Sequence, residues 1–205
     1  MTAPPAAAKG FSLVELLVVI GTIALLIAVL MPAYSQARAQ SKAVVCLSNM
    51  RQIGIGVTMY ANAHGGRFPK NSHAGSEQSW LDSLYRFGVT PAARLCPADD
   101  REPAPAATSY ATNNYTVAPR PYTRVTAVRR SSATIYAAET HKAGDHLHAT
   151  GYVAPPSLES EIAVRRHRRA ANYLYCDGHA ERIAFAYFER SFAPPTSPFN
   201  PATAR

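Results

Sequence analysis

From Leu13 to Leu30 the chain is apolar, interrupted only by Glu15, Gly21 and Thr22. As a helix, such a run crosses a hydrocarbon layer of about 30 Å, and no comparable run follows it. One membrane anchor is therefore expected. With 205 residues there is room for this element and one small globular domain, but not for two domains with separate cores. A secretory signal peptide would place a small-residue cleavage site beyond its apolar core. Here the pattern runs on through Met31, Pro32, Ala33 and Tyr34 into more helix, so the residues alone read as a signal-anchor helix. Pro32 lacks a backbone donor and its ring crowds the preceding turn, which predicts a kink or local opening.

After Pro32, Ala43, Leu47, Met50, Gly54, Val57 and Ala61 recur at three- and four-residue steps, with Cys46, Ile53 and Tyr60 on their flank. This is the stripe of an amphipathic helix, and Gly65-Gly66 supplies the glycine stop at its end. From Phe11 to Ala63 the helix would run about 80 Å at ~1.5 Å per residue. Ser76 is placed to cap a short helix through Trp80, Leu81, Leu84 and Tyr85 to Phe87, ended by Gly88, with Trp80 in the core. Strand patterns follow at 109–117, 133–139 and 172–175, the last joined by an Asp177-Gly178 turn to 180–185. Pro155-Pro156 and the tail Pro194 to Arg205 read as loop or disordered chain.

The net charge is +8, with basic residues gathered at Arg124, Arg129, Arg130 and in the run Arg165, Arg166, His167, Arg168, Arg169. Such clusters attract nucleic acid or anionic surfaces. Without an interleaved aromatic motif, a solvated basic face is the simpler expectation. The sequence has no Gly-rich phosphate loop, no G-x-S-x-G and no H-E-x-x-H, and so no recognisable catalytic motif. It is expected not to be an enzyme.

The segment Lys9-Gly10-Phe11-Ser12-Leu13-Val14-Glu15 closely resembles the cleavage and methylation site of type IV prepilins and pseudopilins. The resemblance implies that a membrane prepilin peptidase cuts between Gly10 and Phe11 on the cytoplasmic side and methylates the new Phe11 amine. It also implies that Glu15 pairs with the Phe11 ammonium of a neighbouring subunit and that Pro32 loosens the helix in an assembled filament. Read physically, Glu15 is a carboxylate near the end of an apolar run, costly in lipid unless it finds a partner or reaches the interface. The charges oppose the implied orientation: Lys9 alone precedes the span, whereas Arg38, Lys42 and Arg51 follow it, and positive residues favour the cytoplasmic side. The cytoplasmic N-terminus and periplasmic head rest on the resemblance.

A second set of residues runs Cys46-Leu47-Ser48-Asn49-Met50-Arg51-Gln52-Ile53-Gly54, Tyr60, Gly66, Pro69, Trp80, Cys96-Pro97, and His167 followed after nine residues by Asp177-Gly178. It is similar to bacterial pseudopilin-like proteins with an H-x9-DG C-terminal signature. Cys176 departs from that pattern, where a small apolar residue is usual. Three cysteines allow one disulfide, with Cys46–Cys96, Cys46–Cys176 and Cys96–Cys176 all open. Cys46 with Cys96 is preferred, because it would staple the helix to the sheet in an exported head. No cofactor is required. Asp145, His146, His148, His167, Asp177 and His179 are nevertheless residues that could gather around a cation, and zinc suits imidazole, carboxylate and the Cys176 thiol. His167, Asp177 and His179 are the principal candidates. Major pseudopilins use calcium in C-terminal loops, so calcium is the other candidate ion. The simpler reading makes Asp177-Gly178 a hairpin turn with His167 hydrogen-bonded nearby.

The expected fold is α+β and pilin-like, a long N-terminal helix packed at its C-terminal half on a small antiparallel sheet. The boundaries are leader 1–10, helix 11–63, head 64–193 and Pro-rich tail 194–205. The resemblance implies a single-pass inner-membrane pseudopilin of a type II secretion-like apparatus. Its partners would be a prepilin peptidase, other pseudopilin subunits and an inner-membrane assembly platform. The alternative is a minor type IV pilin-like subunit whose basic patch captures DNA or a surface polymer.

Overall fold

The computed structural model describes residues 12–71, 79–101, 108–117, 119–142, 144–149, 155–187 and 197–204. The chain divides into two compact units, residues 1–39 and 40–205. Helix α1, Leu13–Ala63, contributes to both and is helical without a break through Pro32. Within the first unit the large apolar side chains from Leu13 to Met31 are exposed. This helix is long and apolar enough to cross a membrane.

In the second unit α1 buries Ala43, Cys46, Met50, Ile53, Gly54, Gly56, Val57 and Ala61. The buried face is therefore centred on Cys46, Met50, Ile53 and Val57, whereas Leu47 and Tyr60 pack only at its margin. It faces a five-stranded sheet in the order β3-β1-β2-β4-β5. The strands are β1 Tyr110–Asn113, β2 Ile135–Glu139, β3 His146–Leu147, β4 Ala170–Tyr175 and β5 Ala180–Ala184. Pairs β1–β2, β2–β4 and β4–β5 are antiparallel. The expected purely antiparallel sheet is corrected by β3, which lies parallel to β1 with Thr112 opposite His146. After β2 the chain carries back past β1 and adds an edge strand too short to leave a periodic signal of its own.

Both faces of the central strands are covered, so β2 and β4 are buried at every position and do not show the alternation of a half-exposed strand. On one face Met50, Ile53 and Val57 of α1 meet Trp80, Leu84, Tyr110, Tyr136 and Leu174. On the other, Ile135, Ala138, Tyr173 and Ile183 meet Leu158, Ile162 and Phe199. Each fully buried aliphatic side chain stabilises the core by about 1.5–3 kcal/mol. Leu158 belongs to α2, Pro155–Glu159. The expectation of loop at Pro155-Pro156 is thereby corrected, since proline is compatible with a first helical turn, where its missing N–H costs nothing.

Residues 197–204 of the tail, read as loop or disordered chain, form turns held against the head. Pro198 O accepts from Ile135 N at 2.7 Å, and Phe199 is fully buried. The turn after Trp80 is a 3-10 helix, Asp82–Phe87, closed by Gly88 at φ 82°. Its proposed cap, Ser76, lies outside the described residues.

Candidate functional site

In the first unit, the expected leader and the Gly10–Phe11 bond lie outside the described residues. The helix opens with a reciprocal pair. Ser12 N donates to Glu15 Oε2 at 2.9 Å and Glu15 N donates to Ser12 Oγ at 3.3 Å. This is a capping box, in which two orphan N–H groups of the first turn are satisfied by the very residues of a Ser-x-x-Glu motif. Glu15 thus has a partner within its own chain, and its charge also complements the positive end of the helix. At Pro32 the carbonyl accepts a hydrogen bond from Ser35 Oγ at 2.9 Å.

In the second unit the signature residues occupy two places. Asp177 and Gly178 form the β4–β5 turn, where Asp177 Oδ1 accepts from His179 N at 3.1 Å and meets His179 Nδ1 at 2.6 Å. The His179 ring stacks on Tyr175 with centroids 4.2 Å apart. Gly178 has φ 92°, a conformation that L side chains avoid. A Cβ on Gly178 would lie 2.8 Å from Thr58 Oγ1, and a Cβ on Gly54 would run into the Gly178 carbonyl and the Leu174 side chain. A mid-helix glycine costs about 1 kcal/mol relative to alanine. At Gly54 that cost is offset by the close approach of α1 to the turn.

His167 lies elsewhere, in the core. Its side chain is 1 % exposed and its Nε2 is 2.8 Å from Glu139 Oε1, on a carboxylate with no exposure. Asn172 donates from its backbone N at 2.9 Å to Glu139 Oε2 and from Nδ2 at 3.1 Å to Oε1. Cys96 Sγ is 3.6 Å from His167 Nε2. Arg168 and Arg169, at φ 57° and 67°, carry the chain from His167 into β4. Two consecutive left-handed non-glycine residues cost roughly 1–2 kcal/mol each, so the placement of His167 is maintained against local backbone preference. The hydrogen bonds His167 N to Ala170 O at 2.9 Å and Phe185 N to Arg169 O at 2.8 Å hold the connection.

Cys46 and Cys96 form a disulfide with Cα atoms 4.9 Å apart. Cys96 lies just after the 3-10 helix Pro91–Arg94, so the bond ties α1 to this loop and not to a strand of the sheet. Beside it, Cys96 N donates to Ser109 Oγ at 2.9 Å, and Ser109 Oγ donates to Asp99 Oδ2 at 2.6 Å. Burial by itself raises the Asp99 pKa. Hydrogen bonds from Arg101 and Ser109, with the Arg166 and Arg101 charges, outweigh burial and bring it down to about 2.

The third cysteine, Cys176, is a free thiol in the core. Burial first, then the neighbouring Asp177 charge, pushes its pKa well up, so it stays protonated and a poor nucleophile towards the disulfide.

The sequence candidates for a cation do not assemble as one set. Among the described residues, the ligand-type side chains that converge are Cys46, Cys96, Glu139 and His167, with donor atoms all within 4.8 Å of one another. Asp177 and His179 pair with each other at the turn, Asp145 and His146 contact each other at 3.3 Å, and His148 Nδ1 meets Glu161 at 2.6 Å. Glu139 is the residue that sequence reasoning missed. Its one signal was a carboxylate closing the otherwise apolar strand Ile135-Tyr136-Ala137-Ala138, which reads as the strand's exit to solvent.

The basic run is not a uniform face. Arg165 pairs with Glu159 at 3.1 Å and lies over the Phe185 ring, whereas Arg166 is 5 % exposed and reaches Asp99 at 3.1 Å. Searches of protein-family models, curated proteins and solved structures returned no match to this chain.

Proposed function

We propose that the chain is a structural subunit of a type II secretion-like pseudopilus, processed at Gly10–Phe11 and assembled through the first part of α1. The observation that carries this reading is the uninterrupted exposure of large apolar side chains from Leu13 to Met31. A surface of this kind is stable only in lipid or among other apolar helices. The prepilin-like residues Lys9 to Glu15 supply the means of passing from one to the other. Membrane residence comes first, and filament packing follows removal of the leader.

In this reading the head is periplasmic and carries the disulfide, and the Gly54–Gly178 contact seats α1 against it. The capping box gives Glu15 a resting partner before assembly, which the Phe11 ammonium of a neighbour would replace. The subunit acts by packing and needs no catalytic group.

Co-expression of the full chain with a prepilin peptidase, followed by mass spectrometry of the native N-terminus, tests the proposal. The expected mature chain begins at an N-methylated Phe11. An intact leader in the presence of an active peptidase sinks it.

A further inference from the structure

A disulfide alone does not require an imidazole and a carboxylate beside it, and burying that pair carries a desolvation penalty. Around Cys46 and Cys96 the chain nevertheless places both. The two sulfurs, a ring nitrogen of His167 and a carboxylate oxygen of Glu139 lie within 4.8 Å of one another, and all four residues are buried. The carboxylate is oriented by Asn172 through two hydrogen bonds, the kind of outer support that fixes metal ligands in place.

Tetrahedral zinc bonds sulfur at about 2.3 Å and nitrogen or oxygen at about 2.0–2.2 Å, which sets ligand-to-ligand edges of roughly 3.3–3.8 Å. The Cys96 Sγ to His167 Nε2 distance of 3.6 Å already falls in that range, and His167 Nε2 to Glu139 Oε1 at 2.8 Å needs a small opening. The two sulfurs must also separate, which the covalent bond forbids.

We propose that the reduced head holds one zinc ion on Cys46, Cys96, His167 and Glu139, and that oxidation to the disulfide expels it. A dithiol reductant gives two electrons and two protons to the Cys46–Cys96 bond and is itself oxidised to a disulfide. Zinc then binds both sulfurs and releases the two thiol protons to solvent, while His167 presents a bare Nε2 with its proton on Nδ1. Re-oxidation by thiol–disulfide exchange with an external disulfide passes two electrons to that disulfide, which takes two protons from solvent and leaves as two thiols, while the Cys46–Cys96 bond re-forms and the ion is freed. Cys176, buried and protonated, takes no part. The site would close α1 onto the loop after Arg94 in either redox state, by metal in a reducing compartment and by a covalent bond in an oxidising one. This inference does not rest on the filament reading.

The test uses the full chain in detergent micelles, reduced with a water-soluble phosphine that leaves as its oxide, stripped of metal and titrated anaerobically with Co2+. Uptake of roughly one equivalent is expected, with the visible bands and sulfur-to-cobalt charge transfer of a tetrahedral thiolate site, all lost on adding Zn2+. The oxidised chain should give none of these bands. His167→Asn and Glu139→Gln each remove a ligand and should weaken cobalt binding by more than the roughly 10- to 100-fold that loss of an outer-shell partner costs, and Cys176→Ala should leave it unchanged. Circular dichroism of each sample reads whether the fold persists. A reduced wild-type chain that takes up no cobalt, folded or unfolded, overturns the proposal. So does uptake indifferent to both His167→Asn and Glu139→Gln, or uptake abolished by Cys176→Ala.

Discussion

The two parts of α1 are built from the same kind of periodic helix but made for different surroundings. Between Leu13 and Met31 large apolar side chains are exposed on every face, so no side of the helix is preferred by protein. Between Ala43 and Ala61 burial is confined to one stripe, and that stripe contains Gly54 and Gly56, which the first part would have little reason to place against a partner of its own chain. The contrast teaches that helix propensity says little about either part. Medium shapes the first, and steric fit to the strands and turns of the head shapes the second.

The sharpest way to break the contrast is to release the staple. Replacing Cys46 and Cys96 together by alanine should lower the stability of the head by about 4 kcal/mol, from the chain entropy of a 50-residue separation. Chemical denaturation in micelles followed by near-UV circular dichroism measures it. The far-UV signal of the apolar part should persist while the head unfolds.

Next comes a paired glycine test. Gly54→Ala gains helix propensity but drives a methyl into the Gly178 carbonyl, and overpacking of this kind should leave a net loss of about 2 kcal/mol. Gly21→Ala meets nothing within 4 Å and should leave the head's unfolding midpoint where it is. Equal effects from the two substitutions would erase the distinction.

Acid offers a third route. The folded Asp99 pKa lies at about 2, below the 3.8 usual for an aspartate. The ionised form is therefore favoured in the folded state, and the stability it contributes is present above about pH 4 and disappears as pH falls through 2. Up to about 2 kcal/mol is at stake, reduced by the partial exposure of Arg101. Asp99→Asn should flatten the head's stability profile between pH 4 and 2 in acid denaturation.

The smallest effect belongs to the start of the helix. Ser12→Ala removes one side of the capping box and should cost about 1 kcal/mol, read as faster hydrogen exchange at the amide of Glu15 with no change in the head.

Much of this architecture was legible because it rests on period and punctuation. The apolar run, the stripe from Ala43 to Ala61, the glycine stop and the Asp177-Gly178 hairpin all follow from local rules. The stripe is wider than its repeat, since Cys46 and Ile53, on its flank in the sequence, are fully buried as well while Leu47 is only partly so.

Strand β3 escaped because two residues have no period, and its parallel pairing is settled by the path of the chain. Phe199 was hidden in a proline-rich tail whose composition suggests solvent. The Glu139–His167 pair was least legible of all, since it joins residues far apart in sequence through a contact that no spacing encodes. The Ser12–Glu15 box was visible as a motif, yet Glu15 was read for its charge in an apolar run and for a pair with a neighbour's Phe11, not as part of a cap.

The Cys46–Cys96 bond also has a mechanical consequence. Tension applied along α1 from its N-terminal side loads the Gln40–Arg182 hydrogen bond and the buried Ala43 first, and at Cys46 meets its one covalent attachment before Gly54. A sulfur–sulfur bond does not creep, whereas the seat at Gly178 is held by non-covalent contact alone. Reduction would therefore change how the head yields under force more than how it looks at rest. Single-molecule pulling on the helix with and without reductant would show a lower rupture force in the reduced chain.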